Sequence, residues 1–319
     1  MNALRFGLAL AQSPGDPRAA FREIEARAIE AEQAGFDFVT LADPLDQPNV
    51  SALSSSETLA ALARTTKRIG LFVAAGSHYT EPFHTAKAVA TIDFASRGRA
   101  GLIVDASSSQ VASQRFPHAA HLSNEELAAE AAEFIEVLRE LWDSWEDDAE
   151  IRDTASARYV DSSKIHHIDH AGAYFTVKGP LITPRPPQGN PLVAVRSGAS
   201  QLAHGAAARS GADLVFLDAE QIDLSDATAL PSEIRNIIMR IDASRTAEDR
   251  IEAFVEIANA HPAVVGIEFV QVEGALDDVL RNFTSGDAGG TDDAGSLRAR
   301  FGFSRPSSRY ETSPLVAEQ

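Results

Sequence analysis

Short, wholly apolar runs recur along this chain, and each is followed by a stretch with helical spacing. Leu4 to Ala11 reads LRFGLALA, a run without alternation, as expected of a strand covered on both faces. Asp16-Pro17 is an N-cap followed by proline at the first helical position. Phe21, Ile24, Ala28 and Ala31 return at steps of three and four, and Gly35 marks the helix end. The unit then repeats. DFVTLAD (Asp37 to Asp43), RIGLFVAAG (Arg68 to Gly76) and AGLIV (Ala100 to Val104) are further strands. Helical stretches surround Leu59 and Leu62 and run from about Glu81 to Ser96. Parallel strands cannot be joined by a tight turn, so this order calls for a parallel sheet with crossover helices.

The fourth helix opens on a capping box, Ser123 with Glu126. It carries Leu127, Ala131, Phe134, Leu138, Leu141 and Trp145 on one face. From Glu146 to Asn190 the pattern breaks into a polar stretch rich in Asp, His, Pro and Gly, where AYFTVKGPL (Ala173 to Leu181) suggests a hairpin strand. PLVAVRSGAS (Pro191 to Ser200), ADLVFLD (Ala212 to Asp218), IRNIIMRI (Ile234 to Ile241) and AVVGIEFV (Ala263 to Val270) supply four more strands. Thr246 caps the helix between the last two. Eight parallel strands close a (β/α)8, or TIM, barrel. The alternative, a doubly wound open sheet, lacks a Gly-rich turn after the first strand. The expected organisation is one α/β barrel over 1–283, with an insertion at about 146–190, then a loop and C-terminal arm over 284–319.

Composition narrows the chemistry. The absence of cysteine excludes disulfides, thiolate catalysis, iron–sulfur clusters and Cys-type zinc sites. A net charge of −18 argues against nucleic acid or an anionic membrane surface as a partner. No apolar run approaches the roughly 20 residues of a membrane span. The opening MNALRFGLALAQ reads as a first strand and not a signal peptide, which makes the cytoplasm the expected location.

In a parallel barrel the chemistry gathers where the strands end. Those ends carry Asp43, Gly76, Ser77 and His78, Asp105 to Ser109, Ser197 to Ser200, Asp218, and Gln271 to Gly274. SGAS (Ser197 to Ser200) ends a strand and opens a helix, where backbone N–H groups and a hydroxyl suit a phosphate; the plain alternative is a serine N-cap. HHIDH (His166 to His170) has the ligand types of a metal site but no spacing that aims them at one point, so it reads as a solvated turn and no metal is expected. His78 is a candidate general acid or base. P-loop, HExxH and GxSxG patterns are absent.

Several segments together resemble the luciferase-like flavin monooxygenases, in the branch of nitrilotriacetate, dibenzothiophene-sulfone and long-chain alkane monooxygenases. They are GFDFVTLAD, RIGLFVAAGSHYTEPFHTAKAVATIDFASRGRAG, LRELWDSWEDDA, KIHHIDHAGAYFTVKGPL, PRPPQGNPLVAVRSGAS and LRARFGFSRPSSRY, in the family's order. The resemblance implies a TIM barrel with a hairpin insertion after the fourth helix. It implies reduced FMN from a partner flavin reductase, insertion of an oxygen atom from O2 into a small organic substrate, and a homodimer. It matches Asp43 to an acidic residue near the flavin, Ala199 and Ser200 to the phosphate-binding turn, and Ser107 to the small residue after the fourth strand. It makes HHIDH part of the hairpin insertion.

Other positions depart from the family. Ala74 stands where a Thr is usual, Ile103 for Asn, Ala106 for Thr, Leu127 and Ala128 for an Arg-Tyr pair, and Ala203 for Gly. A long helical segment before the last strand is missing, so the C-terminal half is shortened. At roughly 0.5–1.5 kcal/mol for each lost hydrogen bond, these changes weaken the expected flavin site. They open two alternatives. One is a family member without flavin chemistry that serves in a binding or structural role beside an active paralogue. The other is a barrel that takes a different anion at Ser200, with Arg196 or His78 replacing lost contacts.

Overall fold

The computed structural model describes residues 4–42, 53–107, 110–116, 119, 121–196, 209–221, 235–272 and 295–311. The chain begins with β1 (Arg5–Leu10) and α1 (Pro17–Ala34), then β2 (Phe38–Leu41) and α2 (Ser55–Thr65). β3 (Gly70–Gly76) leads to α3 (Pro82–Ser96), and β4 (Ala100–Asp105) to a short α4 (Gln110–Arg115) and a long α5 (Asn124–Asp143). Two small antiparallel hairpins follow: β5 (Glu150–Asp153) with β6 (Arg158–Val160), and β7 (His170–Ala171) with β8 (Thr176–Val177). β9 (Leu192–Arg196), β10 (Leu214–Asp218), β11 (Ile237–Asp242), α6 (Glu248–Ala260), β12 (Val264–Val270) and α7 (Leu297–Arg300) complete the described strands and α-helices.

Eight strands close into one barrel in the order β1-β2-β3-β4-β9-β10-β11-β12, and β12 returns to β1 with Arg5 opposite Gly266. Every pairing around the wall is parallel. This is the TIM barrel expected from the alternation, and closure rules out the open sheet.

Local signals set several helix ends. The Asp16 side chain accepts the N–H of Arg18 and Pro17 follows as the first helical residue. Gly35 takes φ 96°, a left-handed cap that glycine adopts without strain. Ser123 and Glu126 make both bonds of their capping box. The expected cap at Thr246 is corrected: Ala247 is the N-cap of α6 and makes no side-chain bond, while the Thr246 N–H donates to Asp242 O. Helix α4 and the β5–β6 hairpin leave no mark in the sequence, because their polar stretches carry neither a 3.6 nor a 2.0 period.

The core has two shells. Between wall and helices lie Leu59, Leu62, Phe134, Leu138 and Trp142, all fully buried. Trp142 also satisfies its indole N–H on Ala86 O at 3.0 Å. Inside the barrel, Phe38, Phe72 and Phe216 pack edge to face, with centroids 5.4 to 6.3 Å apart. Three rings fit in so narrow a space because two neighbours lack side chains. A Cβ on Gly7 would lie 2.1 Å from the Phe38 ring, and one on Gly101 2.4 Å from Phe72. From below, Leu297 and Phe301 join the same aromatic cluster. The Leu297 N–H donates to Gly98 O, the Arg298 N–H donates to Gln188 Oε1, and the Arg298 guanidinium holds Asp213 at 3.1 Å through two nitrogens.

Next to this floor, Asp93 is buried and accepts bonds from the Gln188 N–H, the Gln188 side-chain amide and the Ala100 N–H. Burial nevertheless pushes its carboxyl up to about 6, from 3.8. The folded chain therefore binds the extra proton between those values. Stability from this group is greatest below pH 4 and falls as pH rises through 6, by about 3 kcal/mol for a shift of this size. A 13C titration of the Asp93 carboxyl is expected to show a midpoint near 6; a midpoint below the 3.8 of a free carboxyl would contradict the burial argument.

Candidate functional site

Side chains on a strand alternate between faces, so the residue two beyond an inward-facing core residue also faces inward. Ile103, Ala194, Phe216 and Ile238 belong to the inner cluster. Two residues further on stand Asp105, Arg196, Asp218 and Arg240. Glu268 of β12 sits opposite Arg240 in register, as Asp218 does on the other side, and Asp105 sits opposite Arg196. Five neighbouring strands thus place charges of alternating sign around the C-terminal mouth.

The charges pair with each other. Arg240 donates through Nε to Glu268 at 2.5 Å and through Nη1 to Asp218 at 2.7 Å. Glu268 is fully buried and also accepts the Thr40 hydroxyl at 2.5 Å. Burial works to lower the Arg240 pKa, but the Glu268 and Asp218 charges outweigh it and hold the pKa above the ordinary value. Arg196 Nη2 reaches Asp105 at 3.3 Å, and Asp105 accepts the Ser107 hydroxyl at 2.6 Å. The Arg196 side chain is 12% exposed and that of Asp105 22%, so this part of the ring meets solvent.

Below the ring the barrel is closed. Ala74 is 3% exposed and Ile103 not at all, and Ala128 on α5 is 4% exposed. These are positions where the family resemblance puts contacts to FMN. These three side chains are apolar and offer FMN no hydrogen bond, so the described part of the seat does not fit the cofactor's polar contacts at these positions.

His78 lies to one side, in the turn between β3 and α3. Its Nδ1 is 2.9 Å from Glu130 Oε2 and 3.1 Å from Oε1. Burial raises the Glu130 pKa, against the hydrogen bond from His78. The pair borders a pocket of about 290 Å3 whose lining also includes Ser77 and Tyr79.

Of the residues singled out in the sequence, Ser107 joins the mouth ring and His78 the side pocket. Asp43, Ala199 and Ser200 lie outside the described residues. The histidines of HHIDH go separate ways. His166 pairs with Glu146 at 2.8 Å, His167 with Gly179 O at 2.7 Å, and His170 with both Glu140 and Glu133. His170 fastens the insertion to α5, whereas His166 and His167 bond within the insertion, and among the described residues no acid and histidine group is arranged to hold a metal. Sequence reasoning misses Thr40, Arg240, Glu268 and Glu130. The signal available for two of them is a charge inside an otherwise apolar strand, in IIMRI and VVGIEFV.

The architecture is a (β/α)8 barrel whose polar groups gather at the C-terminal ends of its strands. Residues 4–267 match the model of the luciferase-like monooxygenase family, and the chain belongs to that family. It is 39% identical over 202 residues to N-acetyl-S-(2-succino)cysteine monooxygenase of Bacillus subtilis (strain 168), covering 61% of this chain and 45% of that one. The chain thus spans about half the length of the first curated relatives it matches. Both subunits of the pristinamycin IIA synthase of Streptomyces pristinaespiralis are also similar to it. One is 31% identical over 297 residues, covering 92% of this chain and 93% of its own length. The other is 34% identical over 182 residues, covering 57% of this chain and 38% of its own length. Among solved structures, EDTA monooxygenase from Chelativorans sp. BNC1 superposes with a TM-score of 0.70 at 17% identity, over 95% of this chain and 99% of that one. That likeness shows the fold. No described helix is long and apolar enough to cross a membrane.

Proposed function

We propose that this chain is the smaller member of a two-subunit luciferase-like monooxygenase, working in the cytoplasm beside a longer barrel of the same family. The carrying observation is the end-to-end correspondence with one of the two synthase subunits, 92% of this chain against 93% of that one. The other, longer synthase subunit is a partner of the stated kind. The apolar lining at Ala74, Ile103 and Ala128 supports the same reading. So does α3, whose outward side leaves Phe94 43% exposed beside exposed Thr91 and Ala95, an apolar face suited to another barrel's helices.

On this reading the longer partner holds reduced FMN, which supplies the oxygen-activating chemistry when bound. A flavin reductase provides it, and the substrate is a small organic molecule. The present chain contributes a rigid barrel and an interface. A second reading keeps the flavin here, with Asp43, Ser107, Ala199 and Ser200 around it and His78 as an acid or base. The accessible Asp105–Arg196 pair with its Ser107 hydroxyl favours it, since that rim retains polar groups at the mouth.

One pair of measurements separates the readings. Anaerobic titration of the chain alone with reduced FMN is expected to give a dissociation constant above roughly 100 µM, a binding free energy weaker than about 5.5 kcal/mol. Light scattering of the chain mixed with a longer luciferase-like barrel from the same genome is expected to show a heterodimer. Micromolar FMN affinity together with no heterodimer would establish the second reading in its place.

A further inference from the structure

The side pocket adjoins the mouth, since the N–H of Ser77 in its lining donates to the carbonyl of the ring residue Asp105. It opens between the β3–α3 turn, the end of α4, the first half of α5 and Phe175 in the β7–β8 hairpin. Its walls are aromatic. Tyr79 and Phe116 stack with centroids 5.2 Å apart, and Phe175 adds a third ring. Phe116 remains 36% exposed, more than its size would lead one to expect of a packed ring.

Its acids are unevenly engaged. Glu130 is buried and bonded to His78. Glu81 stands at the rim, exposed, at the N-cap of α3, and its side chain makes no capping bond. Arg115 also borders the pocket and is engaged in an interaction of its own. Ser77 is 1% exposed, lines the pocket, and has a hydroxyl with no hydrogen-bond partner. An unmet buried hydroxyl in a lining is a group that a ligand can satisfy.

Aromatic faces attract cations through their quadrupole, and a free carboxylate beside them supplies the counter-charge. A phosphate or carboxylate would meet Glu81 and Glu130, while the basic groups of the lining, His78 and Arg115, are each already engaged, His78 with Glu130. We propose that this pocket binds a small organic ammonium ion, with its charge between Glu81 and the rings of Tyr79, Phe116 and Phe175. None of Glu81, Tyr79, Phe116 and Phe175 is among the residues assigned to the flavin, so the ammonium site holds whichever barrel carries the cofactor.

The test uses the full chain and three probes: choline, its neutral isostere 3,3-dimethyl-1-butanol, and inorganic phosphate, each followed by calorimetry and by NMR shifts of the pocket aromatics. Choline is expected to bind about tenfold more tightly than the isostere, the discrimination a partly desolvated cation–π site gives. Glu81→Gln and Phe116→Leu each sit at the rim and should weaken choline by about three- to tenfold without changing the melting temperature. Equal affinity for choline and the isostere, an unchanged choline affinity in both variants, or phosphate shifting the same aromatics would each overturn the proposal. So would the absence of any choline shift.

Discussion

Replacing Glu268 by alanine is expected to destabilise the barrel by about 3 kcal/mol. Glu268 is fully buried at the inner end of the mouth ring and holds both Thr40 and Arg240. Removing one partner of a buried ion pair leaves the other charge uncompensated, at a typical cost of about 3–5 kcal/mol. Here the lower figure applies, because the Arg240 side chain is 18% exposed and keeps Asp218. The Thr40 hydroxyl also loses its acceptor. The pair as a whole is a different matter, since both charges were desolvated on folding. The double variant Glu268→Leu with Arg240→Met is therefore expected to lie within about 1 kcal/mol of the parent. Urea unfolding of the parent and both variants decides it. A single variant that unfolds at the parent's midpoint would mean that the ring carries no stability.

A comparable loss, about 3–4 kcal/mol, is expected from Arg99→Lys. Arg99 is 5% exposed and donates five bonds. Nε meets Ser96 O at 2.8 Å, Nη1 meets Thr66 Oγ1 at 3.1 Å and Ile69 O at 2.6 Å, and Nη2 meets Ala63 O and Thr66 O at 3.0 and 3.1 Å. One side chain thereby caps the carbonyls at the ends of α2 and α3 and at the entry to β3. A lysine keeps the charge but gathers its donors on one nitrogen, which cannot face acceptors on three segments. At least two buried carbonyls would be left unmet, at about 1–3 kcal/mol each. Denaturant unfolding measures the loss. A denaturant midpoint equal to the parent's would show that charge, and not the planar fork, is what the site needs.

The barrel is legible because its signals are local. The run Leu4 to Ala11, the Asp16-Pro17 start and the Gly35 stop each act within a few residues, and the closed sheet follows from repeating them. The mouth ring is not legible in the same way. Arg240 and Glu268 are 28 residues apart and meet only through the β11–β12 register, which no local rule fixes. His78 can be picked out by its place at a strand end, but its partner Glu130 lies 52 residues away on a helix where it reads as one more surface acid. HHIDH shows the reverse case. Its residue types suggest a shared ligand, while the structure gives each imidazole its own partner. Types are visible in a sequence and convergence is not.

The small helix α7 under the barrel has a consequence in time. Phe38 and Phe72 are synthesised early, yet Leu297 and Phe301, which cover them from below, leave the ribosome more than two hundred residues later. For most of its synthesis the nascent chain carries an open aromatic floor. Such a surface is what chaperones bind and what drives aggregation of incomplete barrels. Expression yield should therefore depend on how long a stalled or slowly translated message keeps residues 295–311 from arriving, since that late segment acts as the cork of a vessel already formed.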